Sequence, residues 1–150
     1  MTFLPLQIGR PLVRTPEFHD WVISCGFGDL ATSEAHTTLA YSKTPVDWEK
    51  PAFAPRSDTV TSLGGQRFFE ILDHGVLVLR FESQELKARW HELVQAGASW
   101  DYLDFKAHIT LARGVSLISP ELLPYHGAIT FGPEYRKQAK AAAVVQNRPD

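Results

Sequence analysis

The chain has one cysteine and one methionine among its 150 residues. Cys25 therefore has no partner for an intramolecular disulfide and no second thiol for a thiolate zinc site, which points to a reducing compartment. An excess of one charge is also missing. Fifteen basic and 17 acidic residues leave a formal charge of -2, so no basic sheath exists to neutralise a long phosphate backbone, which argues against duplex DNA as a partner. A small anionic ligand needs only a few local Arg or Lys side chains and stays open. No run of eighteen apolar residues spans a bilayer, and the opening MTFLPLQIGRPL lacks the charged-then-apolar form of a secretory signal. The expectation is a soluble, cytoplasmic protein. Catalytic signatures are missing too: there is no G-x-S-x-G elbow, no HExxH, and no Gly-rich loop leading into a helix. What is present in quantity is core material, 44% hydrophobic with 11% aromatic residues, enough for one domain over residues 1–150 without metal or disulfide staples.

Residues 2–9 read as a first strand interrupted by Pro5. Phe18, Trp21, Val22 and Cys25 then follow helical spacing, with Thr15 as N-cap, Pro16 at the first helical position and Gly26 as the stop. After a turn through Gly28 and Asp29, Ala35–Ser42 reads as a strand. Lys43–Gly65, punctuated by Pro45, Pro51, Pro55 and the hinge-like Gly64-Gly65, reads as a long surface loop. Gln66–Leu72 and Val76–Glu82 flank a turn with Gly75 at positive φ, and Ser83 caps a helix with Leu86, Trp90, Leu93 and Val94 on one stripe, ending at Gly97. Ala107–Arg113 and His126–Phe131 are further strands, and the tail from Pro133 reads as helical through Val145. Segregated elements of this kind predict an α+β fold, helices packed outside a mostly antiparallel sheet, with two similar halves.

The similarity of the halves is sharpest at His36-Thr37-Thr38-Leu39-Ala40 and His108-Ile109-Thr110-Leu111-Ala112, which agree at four of five positions. Each begins the strand that follows a helix. Alternation along a strand puts His36 with Thr38, and His108 with Thr110, on one face, while Leu39 and Leu111 point into a core. Either motif alone reads better as part of a hydrogen-bonded, half-buried sheet, and the pair reverses that reading. Two matched copies offer two imidazoles and two hydroxyls to a single cleft, which suits a phosphodiester. An imidazole titrates near pH 6.5, so one ring accepts a proton from an attacking hydroxyl while the other, protonated, gives one to the leaving oxygen. The threonine hydroxyls meet the non-bridging oxygens, where charge builds.

No metal or cofactor is expected. His19, His74, His91 and His126 are scattered, and His36 with His108 lacks a third ligand. Asp47 and Glu134 are available carboxylates that no spacing brings together. Trp21 and Trp90 sit on apolar helix stripes and read as core; Trp48 and Trp100 sit in loops, where stacking on a base and simple packing both fit.

At these residues the sequence resembles the 2H phosphoesterase superfamily, whose name refers to two His-x-Thr or His-x-Ser motifs on a bilobal α+β fold with a central cleft. The 2',5' RNA ligase-like proteins and cyclic phosphodiesterases are among its members. The stretches HTTLAYSKTPVDW (His36–Trp48), FKAHITLARG (Phe105–Gly114) and GAITFGPE (Gly127–Glu134) are similar to the phage anti-CBASS phosphodiesterases, which cut cyclic di- and trinucleotide second messengers of bacterial immunity. The resemblance implies a bilobal, pseudo-symmetric fold and a metal-independent phosphodiesterase acting on the 3',5' linkages of such messengers, in the cytoplasm of a bacterial host if phage-encoded. It implies His36 and His108 as the acid–base pair, Thr38 and Thr110 as phosphate contacts, and Glu134 as a nucleotide contact. Apart from the resemblance, Glu134 reads equally well as a carboxylate at the start of a tail helix. Two departures from the pattern are Ala107 where proline is common, and Gln7 or Leu6 where the first strand of relatives is expected to carry an aromatic. The alternatives are an RNA-processing 2H enzyme acting on 2',5' bonds or 2',3'-cyclic phosphates, and a protein that sequesters a cyclic nucleotide without cutting it.

Overall fold

The computed structural model describes residues 1–28 and 35–140. In chain order the elements are β1 (Phe3–Pro11), α1 (Pro16–Cys25), β2 (His36–Asp47), β3 (Val60–Ser62), β4 (Phe68–Leu72), β5 (Val76–Arg80), α2 (Gln84–Gln95), β6 (His108–Ala112), β7 (Ile129–Phe131) and β8 (Tyr135–Lys137), with single 3-10 turns at Pro51–Phe53 and Asp73–Gly75. The fold is α+β, and every strand pairing is antiparallel. One sheet has the order β2-β1-β8, a second β4-β5-β6, and β3 pairs with β7. A bridge between Leu12 and Phe131 ties the end of β1 to β7.

The helices form where their caps dictate. The Thr15 hydroxyl accepts a hydrogen bond from the Phe18 N–H at 3.3 Å, and Gly26 closes α1 in the left-handed region at φ 82°. Ser83 caps α2 in the same way through the Leu86 N–H at 3.2 Å. Each helix lays its apolar stripe on the sheets, Phe18 and Val22 from α1, Leu86 and Leu93 from α2. One continuous core joins them to Leu6, Ile8 and Leu39 of the first sheet and to Leu77, Leu79, Ile109 and Leu111 of the second. Among the described residues no helix is long and apolar enough to cross a membrane.

Three sequence expectations change. Pro5 does not break β1: it falls at a register shift between Leu4, opposite Val46, and Leu6, opposite Ser42, where no ladder hydrogen bond asks for its missing N–H. Pro45 falls in the same irregularity, so the expected loop at 43–65 is shorter, with β2 running on to Asp47 and Val60–Ser62 forming β3. The tail does not begin as a helix. Tyr135–Lys137 instead supplies the edge strand that β1 lacks, pairing with Gln7, Ile8 and Gly9. Residues 141–145 of the expected helix, and Asp29 of the expected turn, lie outside the described residues.

Candidate active site

Each His-x-Thr strand is an edge of its sheet, β2 in one and β6 in the other, and the two edges approach each other. On β2, His36 lies opposite Pro11 and Thr38 opposite Gly9. Both side chains are half-buried, while Thr37 and Leu39 between and beyond them are buried. On β6, His108 lies opposite Arg80 and Thr110 opposite Val78, again half-buried, with Ile109 and Leu111 fully buried beneath. The alternation is the one read from the sequence, and it works because the leucines and Ile109 anchor each strand from below.

Two observations define His108. Its Nδ1 lies 2.8 Å from the Lys106 carbonyl oxygen, so Nδ1–H donates there and Nε2 remains for proton transfer. Its pKa is held below the ordinary 6.5, chiefly because burial disfavours the charged ring; Arg80 and His36 push the same way, against the Lys106 carbonyl and Glu70.

Two further side chains, not singled out by sequence, share these surfaces. Tyr135 on β8 stands opposite Gly9, and its ring meets His36 edge-on with centroids 6.3 Å apart. A Cβ on Gly9 would collide with the Tyr135 hydroxyl, so glycine there is what admits the ring. Burial raises the phenol's pKa and a hydrogen bond with Gln7 opposes the rise. Tyr135 thus places an aromatic one strand away from β1, beside Gln7. A glycine inside a β-type run was the available signal. Arg80 is the second; it stands directly beside His108 and pairs with Glu70.

Glu134 and Trp48, the other two expected site residues, are held by contacts within the protein. The Glu134 side chain is fully buried: its oxygens accept from Arg89 Nε at 2.9 Å, Arg89 Nη2 at 3.0 Å and the Arg56 N–H at 3.0 Å. Arg10 lies 3.7 Å away and itself donates to the Gly132 carbonyl at 3.0 Å. Glu134 joins β8, the 52–58 segment and α2 from inside, and no helix starts there for it to cap. Its burial follows from two buried arginines, Arg10 and Arg89, which must have a countercharge. Trp48 follows Asp47 at the other end of the β1–β2 ladder from His36, and the two ends are roughly 26 Å apart along β1 at about 3.3 Å per residue. Its indole N–H donates to the Leu4 carbonyl at 3.2 Å and the Arg136 guanidinium covers its ring at 4.5 Å. Trp100 packs against Trp90 and Phe105. Among the described residues no three His, Cys, Asp or Glu side chains stand together as a metal site.

Comparison with solved structures gives the class of fold. Escherichia coli LigT complexed with 3'-AMP superimposes with a TM-score of 0.56 at 18% identity, covering 97% of this chain and 92% of that one. A structure described as a phosphoesterase gives the same TM-score at 18% identity over 91% of this chain and 98% of its own. The fold is that of the 2H phosphoesterases. Within that class, the sequence profile of the family described as Anti-CBASS protein Acb1 matches residues 17–143. Proteins of that description are 38% identical over 138 residues in Sphingomonas paeninsulae and 35% identical over 136 residues in Caulobacter sp. (strain RHG1), each match covering 87% of this chain. A third, from Yersinia phage phiR1-RT, is 30% identical over 70% of this chain and 67% of its own length. The chain belongs to the Acb1 family. It spans 22% of the length of the two bacterial relatives.

Proposed function

We propose that this chain is a metal-independent phosphodiesterase that cleaves 3',5' linkages of cyclic di- or trinucleotide immune messengers, and so counters CBASS defence. The observation that carries the reading is the meeting of two His-x-Thr strands as facing sheet edges, in a chain of the Acb1 family. His108 Nε2, on a ring whose charged form is disfavoured, takes the proton of the 2'-hydroxyl next to the scissile linkage. The 2'-oxygen bonds to phosphorus, the bond from phosphorus to the 5'-oxygen breaks, and protonated His36 gives that oxygen its proton. A 2',3'-cyclic phosphate results. In the second step His36 takes a proton from water, the new hydroxyl opens the ring at the 2'-oxygen, and His108 returns its proton, leaving a 3'-phosphate. Thr38 and Thr110 donate to the non-bridging oxygens as negative charge grows there. The E. coli LigT structure holds 3'-AMP, a nucleotide with the end group this reaction would leave.

The test is incubation of the purified protein with cyclic di- and trinucleotides, 2',5'-linked dinucleotides and 2',3'-cyclic mononucleotides in excess EDTA, with products read by mass spectrometry. Linear products ending in 3'-phosphate are expected from the cyclic oligonucleotides. Activity that chelation abolishes and zinc or manganese restores would overturn the metal-independent mechanism. Turnover confined to 2',5' bonds would favour RNA processing, and tight binding without products would favour sequestration.

A further inference from the structure

Arg80, Phe68 and His108 form one row across the second sheet, since Phe68 pairs with Arg80 and Arg80 with His108; Glu70, Val78 and Thr110 form the next row. Directly opposed residues in antiparallel strands share a face with Cβ atoms about 5 Å apart. The guanidinium therefore stands on the face of the proposed base and phosphate-binding hydroxyl. It is held there. Its carbon lies 5.0 Å from the centre of the Phe68 ring, and Nη1 pairs with Glu70.

The Arg80 side chain is only 18% exposed, and its Nε is buried with no hydrogen-bond partner among the described residues. Nη1 binds a Glu70 carboxylate that is itself 37% exposed. A guanidinium has five donors in a planar fork that matches a phosphate. A cation so placed, and so incompletely matched, fits an anion brought from outside.

We propose that Arg80 is a phosphate ligand in this site, its fork reaching a non-bridging oxygen of the substrate beside Thr110, with Glu70 as the counterion it shares when phosphate is bound. The inference rests on the phosphodiesterase reading for its substrate. A phosphate contact on His108's own row stabilises the charge that grows during transfer, and the same cation disfavours protonation of His108. The charged and titratable groups acting on His108 are Arg80 from β5, Glu70 from β4 and His36 from β2.

The test uses Arg80→Met, Arg80→Lys and Glu70→Gln, with melting temperatures and three readouts. On the cyclic dinucleotide that wild type cleaves fastest, Arg80→Met should lose about 10²–10³-fold in kcat/KM, with Arg80→Lys intermediate because it keeps the charge and loses the fork. In calorimetry with 3'-AMP, Arg80→Met should weaken binding at least about tenfold, as loss of a charge-assisted contact does, and Glu70→Gln should tighten it. By NMR, the His108 titration should move up in Arg80→Met and down in Glu70→Gln. Unchanged 3'-AMP affinity in a folded Arg80→Met, or affinity lost together with the fold and undiminished in Arg80→Lys, overturns the proposal. If Arg80→Met does not fold, wild-type affinity in both Arg80→Lys and Glu70→Gln does so. Failure of the phosphodiesterase reading looks different: no turnover by wild type, with the binding and titration differences intact.

Discussion

At the scale of single residues, the two histidines carry different expectations from the two threonines. His36→Ala and His108→Ala should each lower kcat by about 10²–10⁴-fold, the range for a general acid or base, with circular dichroism unchanged because both rings are half-buried on an open face. Thr38→Val and Thr110→Val remove one donor each and should cost less, at most about 10²–10³-fold; losses equal to those of the histidines would mean that the hydroxyls orient the rings. The depressed pKa of His108 places the acid limb of the pH–rate profile below 6.5, since a base must be neutral to act and burial keeps it so to lower pH. A limb at or above that value would assign the base elsewhere. Glu134→Gln leaves Arg89 without its buried carboxylate, while Arg10 keeps Asp58 at 2.8 Å; it should cost about 3–5 kcal/mol, read as a lower urea midpoint, while the pH–rate profile of the surviving folded protein stays put.

At the scale of elements, the close approach of β8 to β1 depends on Gly9. Gly9→Ala would set a methyl 2.8 Å from the Thr37 carbonyl oxygen and against the Tyr135 ring. The backbone atom cannot step aside, so the substitution should cost about 1–3 kcal/mol by overpacking and displace Tyr135 from His36, lowering kcat. Normal stability and turnover in that variant would show that the sheet yields freely there. The helices, their caps and both His-x-Thr strands were legible because local signals agree with tertiary demand: Thr15 and Ser83 do cap, and Leu39 and Leu111 do point inward. Tyr135–Lys137 was illegible because three residues carry no period, and their strand state is imposed by a partner at the far end of the chain. The ion pairs of Glu134 were illegible for a related reason: a carboxylate after Gly132-Pro133 shows no partner along the chain, and Arg10 and Arg89 reach it only in space. Arg80 escaped notice because its place beside His108 is a matter of register between two strands, which no spacing along the chain reveals.

At the scale of the whole molecule, the chain builds two three-stranded sheets over one core and sets the chemistry where their edges meet. The strand in the middle of the first sheet is β1, made almost entirely of the first residues, and one of its neighbours is β8, where Gln7 meets Lys137. During synthesis β8 emerges after the other seven described strands. Until Tyr135 to Lys137 have emerged, the hydrogen-bonding edge at Gln7 to Gly9 stays open and Arg89 lacks Glu134. A nascent chain stalled before β8 has emerged would expose a bare strand edge, the template on which chains pair with one another. A chain ending at Gly132 should therefore collect in aggregates although it contains both histidines and both threonines.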